Sequence, residues 1–295
     1  MGFVNKLLKA KTWMWVVLPS LLVVPSTGFS VMYSAPMDQS EWRLEPSLLE
    51  CRLTHPIPYY GEATFSRKAG EDLEFHLSAQ YNPMKAGKAS LVIEPPVWKH
   101  SVKAIDLGHF PVKQQNQPVT VAKVTASRML NELFKGMKPV FTRKTWYGDT
   151  ESTKVSLSSV NFRGSYQDYL GCVQALLPVG FRQVARSRIE FDTDEWKVTE
   201  KIATQLDLIA RYVAADPTIT SLYVDGHTDS IGRRVYNRDL SRRRSDSITE
   251  YLLKKGVKED MLSTRYHGER FPTVKNNSKG NRAKNRRVTV RLERS

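Results

Sequence analysis

The residues best suited to chemistry in this sequence stand close together in its C-terminal third. Asp229 follows a predicted strand in a loop flanked by Gly226 and Gly232, and glycine permits backbone turns that other residues avoid. Arg244 follows on a predicted helix, and Asn237 lies seven residues earlier on the same helical face. A carboxylate, a guanidinium and an amide can therefore converge where the loop meets the helix.

The position of Arg244 on its helix is unusual for an arginine. It lies four residues after Leu240 and four before Ile248, on the apolar stripe of the helix. An arginine there is not solvated in the ordinary way unless its aliphatic chain extends far enough to bring the guanidinium to water. We therefore expect an acidic partner for it. Arg242 and Arg243 point away from the stripe and are expected to be solvated.

Spacing alone leaves two interpretations of this trio open. It suits a zwitterionic ligand, with Asp229 holding an ammonium group and Arg244 holding a carboxylate through its planar fork. The diaminopimelate residue of peptidoglycan stem peptides offers both groups. Alternatively, the two charged side chains form an internal salt bridge and bind no ligand.

Metal and catalytic sites receive little support from the sequence. His227, Asp229 and His267 are the nearest approach to a metal site, but no cysteine or further histidine lies near them. The chain has no GxSxG or HExxH motif, no cysteine with a clear histidine partner and no obvious pair of isolated acids. We predict no catalytic residue, no metal and no other cofactor.

The first thirty residues predict export. Three lysines precede an apolar run over residues 13–24, and Gly28 and Ser30 suit a cleavage site. The run is shorter than the ~20 residues that a membrane-spanning helix needs. We predict a cleaved signal peptide over residues 1–30 and a periplasmic mature chain. The formal net charge of +15 favours a polyanionic partner, and export argues against nucleic acid.

The chain has two cysteines, Cys51 and Cys172. In an exported protein an even pair usually forms a disulfide, which we predict here, with two free thiols as the alternative. Closing a loop of roughly 120 residues would stabilise the fold by about 4–5 kcal/mol.

Hydrophobic periodicity divides the mature chain into two units. Residues 31–179 are predicted to be β-rich, with helices over residues 127–135 and 166–177 and strands that include Val119–Val124 and Lys154–Phe162. Residues 180–295 alternate strands and helices, which predicts a two-layer α/β sandwich. Its strands are expected at 184–191, 219–224, 261–266 and 288–292, and its helices begin after Thr193 or Asp194 and at Tyr236.

The C-terminal unit resembles the OmpA-like peptidoglycan-binding domain in the order and spacing of its motifs. They are Ile189-Glu190-Phe191, Gly226-His227-Thr228-Asp229, Gly232, Asn237, Leu240-Ser241, Arg244, Gly268-Glu269, Pro272, Asn276 and Asn285-Arg286-Arg287-Val288. The resemblance implies that Asp229 and Arg244 bind diaminopimelate and that Asn237 and Arg286 line the groove, with Thr228 beside them. Two positions depart from the family: Ser245 replaces an alanine, and His267 stands in a turn that is usually Gly-Tyr-Gly.

The N-terminal unit is similar to the MotY family of flagellar motor proteins in the segment from Leu49 to Ser66. That resemblance implies a domain that binds a MotX-like protein and the flagellar basal body in a periplasmic ring. The C-terminal domain would fix the ring to the wall, and the ring would hold the stators. A general wall anchor of another envelope complex and a wall-modifying enzyme remain alternatives.

Overall fold

The computed structural model of the chain describes Gly2, residues 30–148 and residues 151–295. The predicted signal peptide lies outside the described residues, except for Gly2 and for Ser30, which begins the first strand. Across the described ranges, no helix has both the length and the apolar character needed to cross a membrane.

The N-terminal unit is rich in strands, as predicted. Its elements are β1 (Ser30–Tyr33), β2 (Arg43–Pro46), β3 (Glu50–Ile57), β4 (Gly61–Lys68), β5 (Leu73–Ala79), β6 (Gly87–Glu94), β7 (Ile105–Val112), β8 (Val119–Val121), α1 (Lys123–Phe134), β9 (Lys138–Lys144), β10 (Ser152–Ser156) and α2 (Phe162–Ala175). They form two five-stranded sheets with the orders β1-β10-β9-β6-β7 and β2-β3-β4-β5-β8.

The two sheets share one core. Leu73, Phe75 and Leu77 alternate along β5 and point inwards, as their period of two predicts. The Phe75 ring stacks on Phe141 of β9, in the other sheet, at a centroid distance of 5.6 Å. Aromatic packing of this kind joins the sheets as a sandwich.

Several element boundaries in this unit were predicted wrongly, including the start of α2, which lies at Phe162 and not at residue 166. The strand that was expected to reach Val124 ends at Val121, and Val124 lies in α1, which begins before residue 127 because Ala126 already packs in the core. The strand expected over Lys154–Phe162 ends at Ser156. Asn161 takes a left-handed conformation with φ of 60°, which turns the chain into α2.

The predicted disulfide is present. Cys51 of β3 and Cys172 of α2 are bonded, with 6.0 Å between their Cα atoms. The bond fastens the second helix to the sheet that contains β3, so it lies wholly within the N-terminal unit.

The C-terminal unit mixes helices and strands, as predicted. Its elements are α3 (Phe181–Val184), β11 (Arg186–Glu190), α4 (Glu200–Ala215), β12 (Ile219–Gly226), α5 (Arg234–Lys254), β13 (Leu262–Tyr266), α6 (Lys279–Asn285) and β14 (Arg287–Arg294). The sheet order is β11-β14-β12-β13, with β12 and β13 parallel and the other pairs antiparallel.

One face of this sheet packs on α4 and α5. Val224 and Val290 from the strands meet Leu206 of α4 and Ile248 of α5 in a second hydrophobic core. The long helix ends as its sequence predicts, since Gly256 follows it with φ of 91°, a conformation that favours glycine.

The first residues of β11 and α4 differ from the prediction. Val184 belongs to α3, and the strand starts only at Arg186. Thr199 caps α4 instead of Thr193 or Asp194, because its side chain lies directly before the helix and accepts a hydrogen bond from the Ile202 amide.

Candidate functional site

The loop between β12 and α5 holds the predicted site. Gly232 takes a φ of 99°, which satisfies the predicted need for glycine at a turn. Gly226 serves a different purpose from the one predicted. A Cβ there would stand 2.2 Å from the Ser241 carbonyl oxygen, so this glycine lets β12 approach α5 closely.

Asp229 is buried and pairs with an arginine from the far end of the domain. Its Oδ2 lies 3.1 Å from Nη1 of Arg286, and its Oδ1 accepts a hydrogen bond of 3.0 Å from the Ile231 amide. Arg286, at the end of α6, also donates from Nε to the Phe191 carbonyl at 3.1 Å. The ion pair that spacing suggested for Asp229 therefore exists, but with Arg286 as its partner.

Arg244 is fully buried, as its place on the apolar stripe predicts, and the expected acidic partner is replaced by backbone. Its guanidinium donates to three carbonyl oxygens, those of Glu195 at 2.7 Å, His227 at 3.1 Å and Asp192 at 3.0 Å. Burial, with the positive charge of Arg286, lowers the pKa of Arg244 to about 10. The side chain stays charged at neutral pH, and carbonyl dipoles stabilise that charge.

Asn237 and Thr228 complete the cluster beneath the loop. The Asn237 amide donates to the Asp229 carbonyl at 3.3 Å and to Oε2 of Glu269 at 2.6 Å. The Thr228 hydroxyl oxygen is buried and has no hydrogen-bond partner within the described structure. A buried hydroxyl without a hydrogen bond is costly, so its place in the cluster needs an explanation.

The two departures from the family motif have local structural roles. The Ser245 hydroxyl donates to carbonyls of its own helix, at 2.9 Å to Arg242. His267 stacks on His227 at a centroid distance of 5.0 Å and lies 3.0 Å from the Asp225 carboxylate. Over the residues described, no group of three or more histidine, cysteine or acidic side chains is arranged to hold a metal ion.

Sequence reasoning missed several partners in this site. Two of the three carbonyls that accept hydrogen bonds from Arg244 come from the connection between β11 and α4, and the third is that of His227. A backbone carbonyl leaves no signal in the residue types. Glu269 belongs to the family motif Gly268-Glu269, but the sequence predicted no role for it. Its hydrogen bond with Asn237 places it at the edge of the cluster.

Comparison with known proteins finds matches for both units. The MotY N-terminal domain family matches residues 33–178, and the OmpA family matches residues 190–286. The sodium-type flagellar protein MotY of Vibrio parahaemolyticus is 29% identical over 95% of this chain and 98% of its own length.

Two other relatives match about a third of the chain. Outer membrane porin F of Pseudomonas fluorescens is 36% identical over 36% of this chain and 32% of its own length. The peptidoglycan-associated lipoprotein of Pasteurella multocida is 33% identical over 35% of this chain and 67% of its own length.

Proposed function

Because this chain joins a MotY N-terminal domain to a domain of the OmpA family, we propose that it is a structural, non-catalytic component of the flagellar motor that anchors to the cell wall. The observation that carries the proposal is the similarity to a flagellar MotY protein over 95% of the chain. Export to the periplasm by a cleaved signal peptide over residues 1–30 belongs to the same proposal. So do the domain limits, 31–179 for partner binding and 180–295 for the wall.

The wall ligand in this proposal is the diaminopimelate residue of a peptidoglycan stem peptide. Its ammonium group would bind the Asp229 carboxylate, and its carboxylate would bind the positive charge of Arg286 and Arg244, which lie close enough to influence each other. Thr228 offers its unpaired hydroxyl, and Asn237 holds the Asp229 carbonyl in place.

Arg244 has a mixed role in this site. Three of its nitrogen atoms each donate to a carbonyl, and a guanidinium has five N–H groups, so two donors remain. Its first task is to hold the loop that presents Asp229, through the His227 carbonyl. We therefore treat Asp229 and Arg286 as the better test of ligand contact.

The N-terminal domain would bind a MotX-like protein and the basal body, so that a periplasmic ring forms and holds the stators. Exposed aromatic side chains support a docking role for this domain. Trp146 is 62% exposed, Tyr147 is 51% exposed, and the two rings pack edge to face at 5.3 Å. Adjacent aromatic side chains that are exposed to solvent are typical of surfaces that bind another protein.

Co-sedimentation with purified sacculi tests the wall site. We expect Asp229→Asn to reduce the bound fraction about tenfold or more, because a carboxamide cannot pair with an ammonium ion. Asp260→Asn is the matched control, since it removes the same charge from an exposed position outside the site. Full retention of Asp229→Asn with a native unfolding temperature would contradict the proposed site.

Deletion of the gene tests the motor assignment. Filaments that assemble but do not rotate, and that rotate again when the intact gene is restored, are the expected result. Normal swimming would instead favour the second candidate, a general OmpA-like anchor of another envelope complex. The match of the OmpA family to residues 190–286 is compatible with either client.

A further inference from the structure

The sheet of the C-terminal domain has a second face, turned away from its hydrophobic core. Residues paired across neighbouring strands point to the same side of a sheet. Arg291 of β14 pairs with Arg186 of β11 on one side and with Tyr223 of β12 on the other. Since Val290 and Val224 fill the core, this row lies on the opposite face.

A cavity of about 470 Å³ lies on that face and is strongly basic. Four arginines line it, Arg186, Arg188, Arg287 and Arg291, against one acid, Asp225. The Asp225 carboxylate is already paired with His267 at 3.0 Å. Arg186 is exposed and has no partner among the described residues. The cavity shares no lining residue with the cluster formed by Asp229, Arg244, Asn237, Thr228 and Arg286.

Three residues that line the same cavity carry buried polar atoms without a hydrogen-bond partner. His227 is 6% exposed, and its Nδ1 has no hydrogen-bond partner within the described structure. Nε of Arg188 and Nε of Arg291 are likewise buried without a hydrogen bond, although Nε of Arg291 lies 3.6 Å from the Glu293 carboxylate. Burial, together with the charge of Arg287, lowers the pKa of His227 to about 3, so this imidazole is neutral and can donate one N–H.

Arg291 is held in place by an aromatic ring. Its guanidinium lies 4.7 Å from the centre of the Tyr223 ring, and Arg265 lies at the same distance. A stacked guanidinium loses little freedom when it binds an anion, because its plane is already fixed. Thr273 and Thr289 add hydroxyl donors to the lining.

We propose that this cavity is a binding site for a phosphate group, separate from the wall site. Glu190 and Glu293 pair with Arg188 and Arg291 at 3.2 and 3.6 Å. The Arg186 guanidinium and the Nε groups without hydrogen bonds still leave more N–H donors than the two oxygens of one ligand carboxylate would satisfy. A phosphate monoester carries more negative charge and three acceptor oxygens, which suit several arginine forks at once. The source of the phosphate is either the free ion or a lipid headgroup at the envelope surface.

Titration of the full chain, purified with its disulfide intact, tests the site. The probe is inorganic phosphate, compared with chloride at equal ionic strength, and binding is followed by calorimetry and by broadening of the phosphorus resonance. We expect saturable binding that weakens about tenfold or more in the double variant Arg186→Gln, Arg291→Gln, because each arginine supplies charge-assisted hydrogen bonds. The matched control is Lys201→Gln, Arg211→Gln, which removes two exposed charges from α4.

Vesicles of phosphatidylcholine with and without phosphatidic acid separate the two sources. If the chain binds vesicles that contain phosphatidic acid, and inorganic phosphate competes with that binding, the ligand is a lipid headgroup. If the chain binds inorganic phosphate but no vesicles, the ligand is the free ion. Equal effects of phosphate and chloride, or equal losses in the control variant, would overturn the proposal. Sacculus binding and phosphate binding are separate measurements, so a failure of the proposed wall site can be told from a failure of the phosphate site. The double variant is expected to co-sediment with sacculi like the native chain.

Discussion

Arg244 shows how a buried charge can be kept without an acid. Its head is out of contact with water, and three carbonyl groups from two separate segments surround it. The aromatic ring of Phe191 lies 5.3 Å from the guanidinium carbon. The side chain thus ties the connection after β11 to the loop that carries Asp229, and its contribution to the fold precedes any contribution to binding.

Substitution of Arg244 should therefore destabilise the C-terminal domain. This revises the expectation that the Arg244 guanidinium serves only to bind the carboxylate of a ligand. Arg244→Ala is expected to lower the free energy of unfolding by about 3–5 kcal/mol, because three carbonyls lose their donor. Urea denaturation measures this. Arg243→Ala is the matched control at the adjacent, exposed position and should change stability by no more than about 0.5 kcal/mol. Equal effects of the two substitutions would contradict this account.

His227 makes the stability of the domain dependent on pH. Burial is the main cause that lowers its pKa from 6.5 to about 3 in the folded protein. Below pH 6.5 the unfolded chain takes up a proton at His227 that the folded chain does not bind. The contribution of His227 to the free energy of unfolding is therefore fully present above pH 6.5 and is lost as the pH drops towards 3. The pKa values of His55 and His76 are also lowered by burial and act in the same direction.

Removal of this imidazole should flatten the pH profile. Between pH 7 and 5, the slope of unfolding free energy against pH is expected to fall in His227→Gln by up to about 1.4 kcal/mol per pH unit. Chemical denaturation at several pH values measures the slope. His100→Gln, at an exposed position, is the control. A slope unchanged in His227→Gln would contradict the lowered pKa, because it would mean that the ring takes up a proton equally in the folded and unfolded chains.

At the scale of elements, glycine has opposite roles in two places. Gly226 ends β12 directly against α5, and the space for a side chain there is filled by the Ser241 carbonyl. Gly164, in α2, has nothing within 4 Å of the position of an added Cβ. Glycine inside a helix is destabilising because it has more conformational freedom to lose on folding.

The same substitution should consequently change stability in opposite directions at these two positions. Gly164→Ala is expected to raise the free energy of unfolding by about 0.5–1 kcal/mol. Gly226→Ala is expected to lower it, because α5 must move away from β12, and the loop with Asp229 would move with it. Thermal unfolding measures both. A loss of stability in Gly164→Ala would contradict the open surroundings of that residue.

The two units of the molecule meet where Ala69 and Leu177 of the N-terminal unit pack into the hydrophobic core of the C-terminal unit. Both residues are held within their own unit by backbone hydrogen bonds, from the Leu177 amide to the Leu48 carbonyl at 2.9 Å and from the Ala69 amide to the Leu49 carbonyl at 2.8 Å. Gly70, with φ of 67°, packs so closely on the start of the C-terminal unit that an added Cβ would lie 2.4 Å from the Gly180 amide nitrogen. A force applied to the wall anchor would reach the N-terminal unit through this contact.

Closing the space at Gly70 should loosen the junction. In Gly70→Ala we expect a lower unfolding temperature and faster proteolysis between residues 176 and 180, because backbone at the junction must separate. Gly108→Ala is the matched control, since Gly108 also has a positive φ, of 95°, but open surroundings. It should show only the cost of backbone strain, about 1–3 kcal/mol. Equal proteolysis in both variants would refute a close-packed junction.

Much of this architecture could be predicted from local pattern. Alternation over Leu73, Phe75 and Leu77 gave one strand, and the helical spacing around Arg244 correctly indicated a buried side chain. The disulfide between Cys51 and Cys172 followed from the count of cysteines and the prediction of export. Boundaries were less accurate, because turns such as that at Asn161 depend on backbone conformations that side chains only weakly specify.

The sequence by itself determined that Arg244 is buried and that Asp229 lies in a loop, since the first follows from helical periodicity and the second from the glycines on either side. Only the tertiary structure decided the partners. Asp229 meets Arg286, 57 residues away, and Arg244 meets carbonyls 49 and 52 residues away. The basic cavity on the open face likewise depends on the register of β11, β14 and β12. Contacts of this kind are set by how strands pair through space, and one-dimensional spacing does not contain that information.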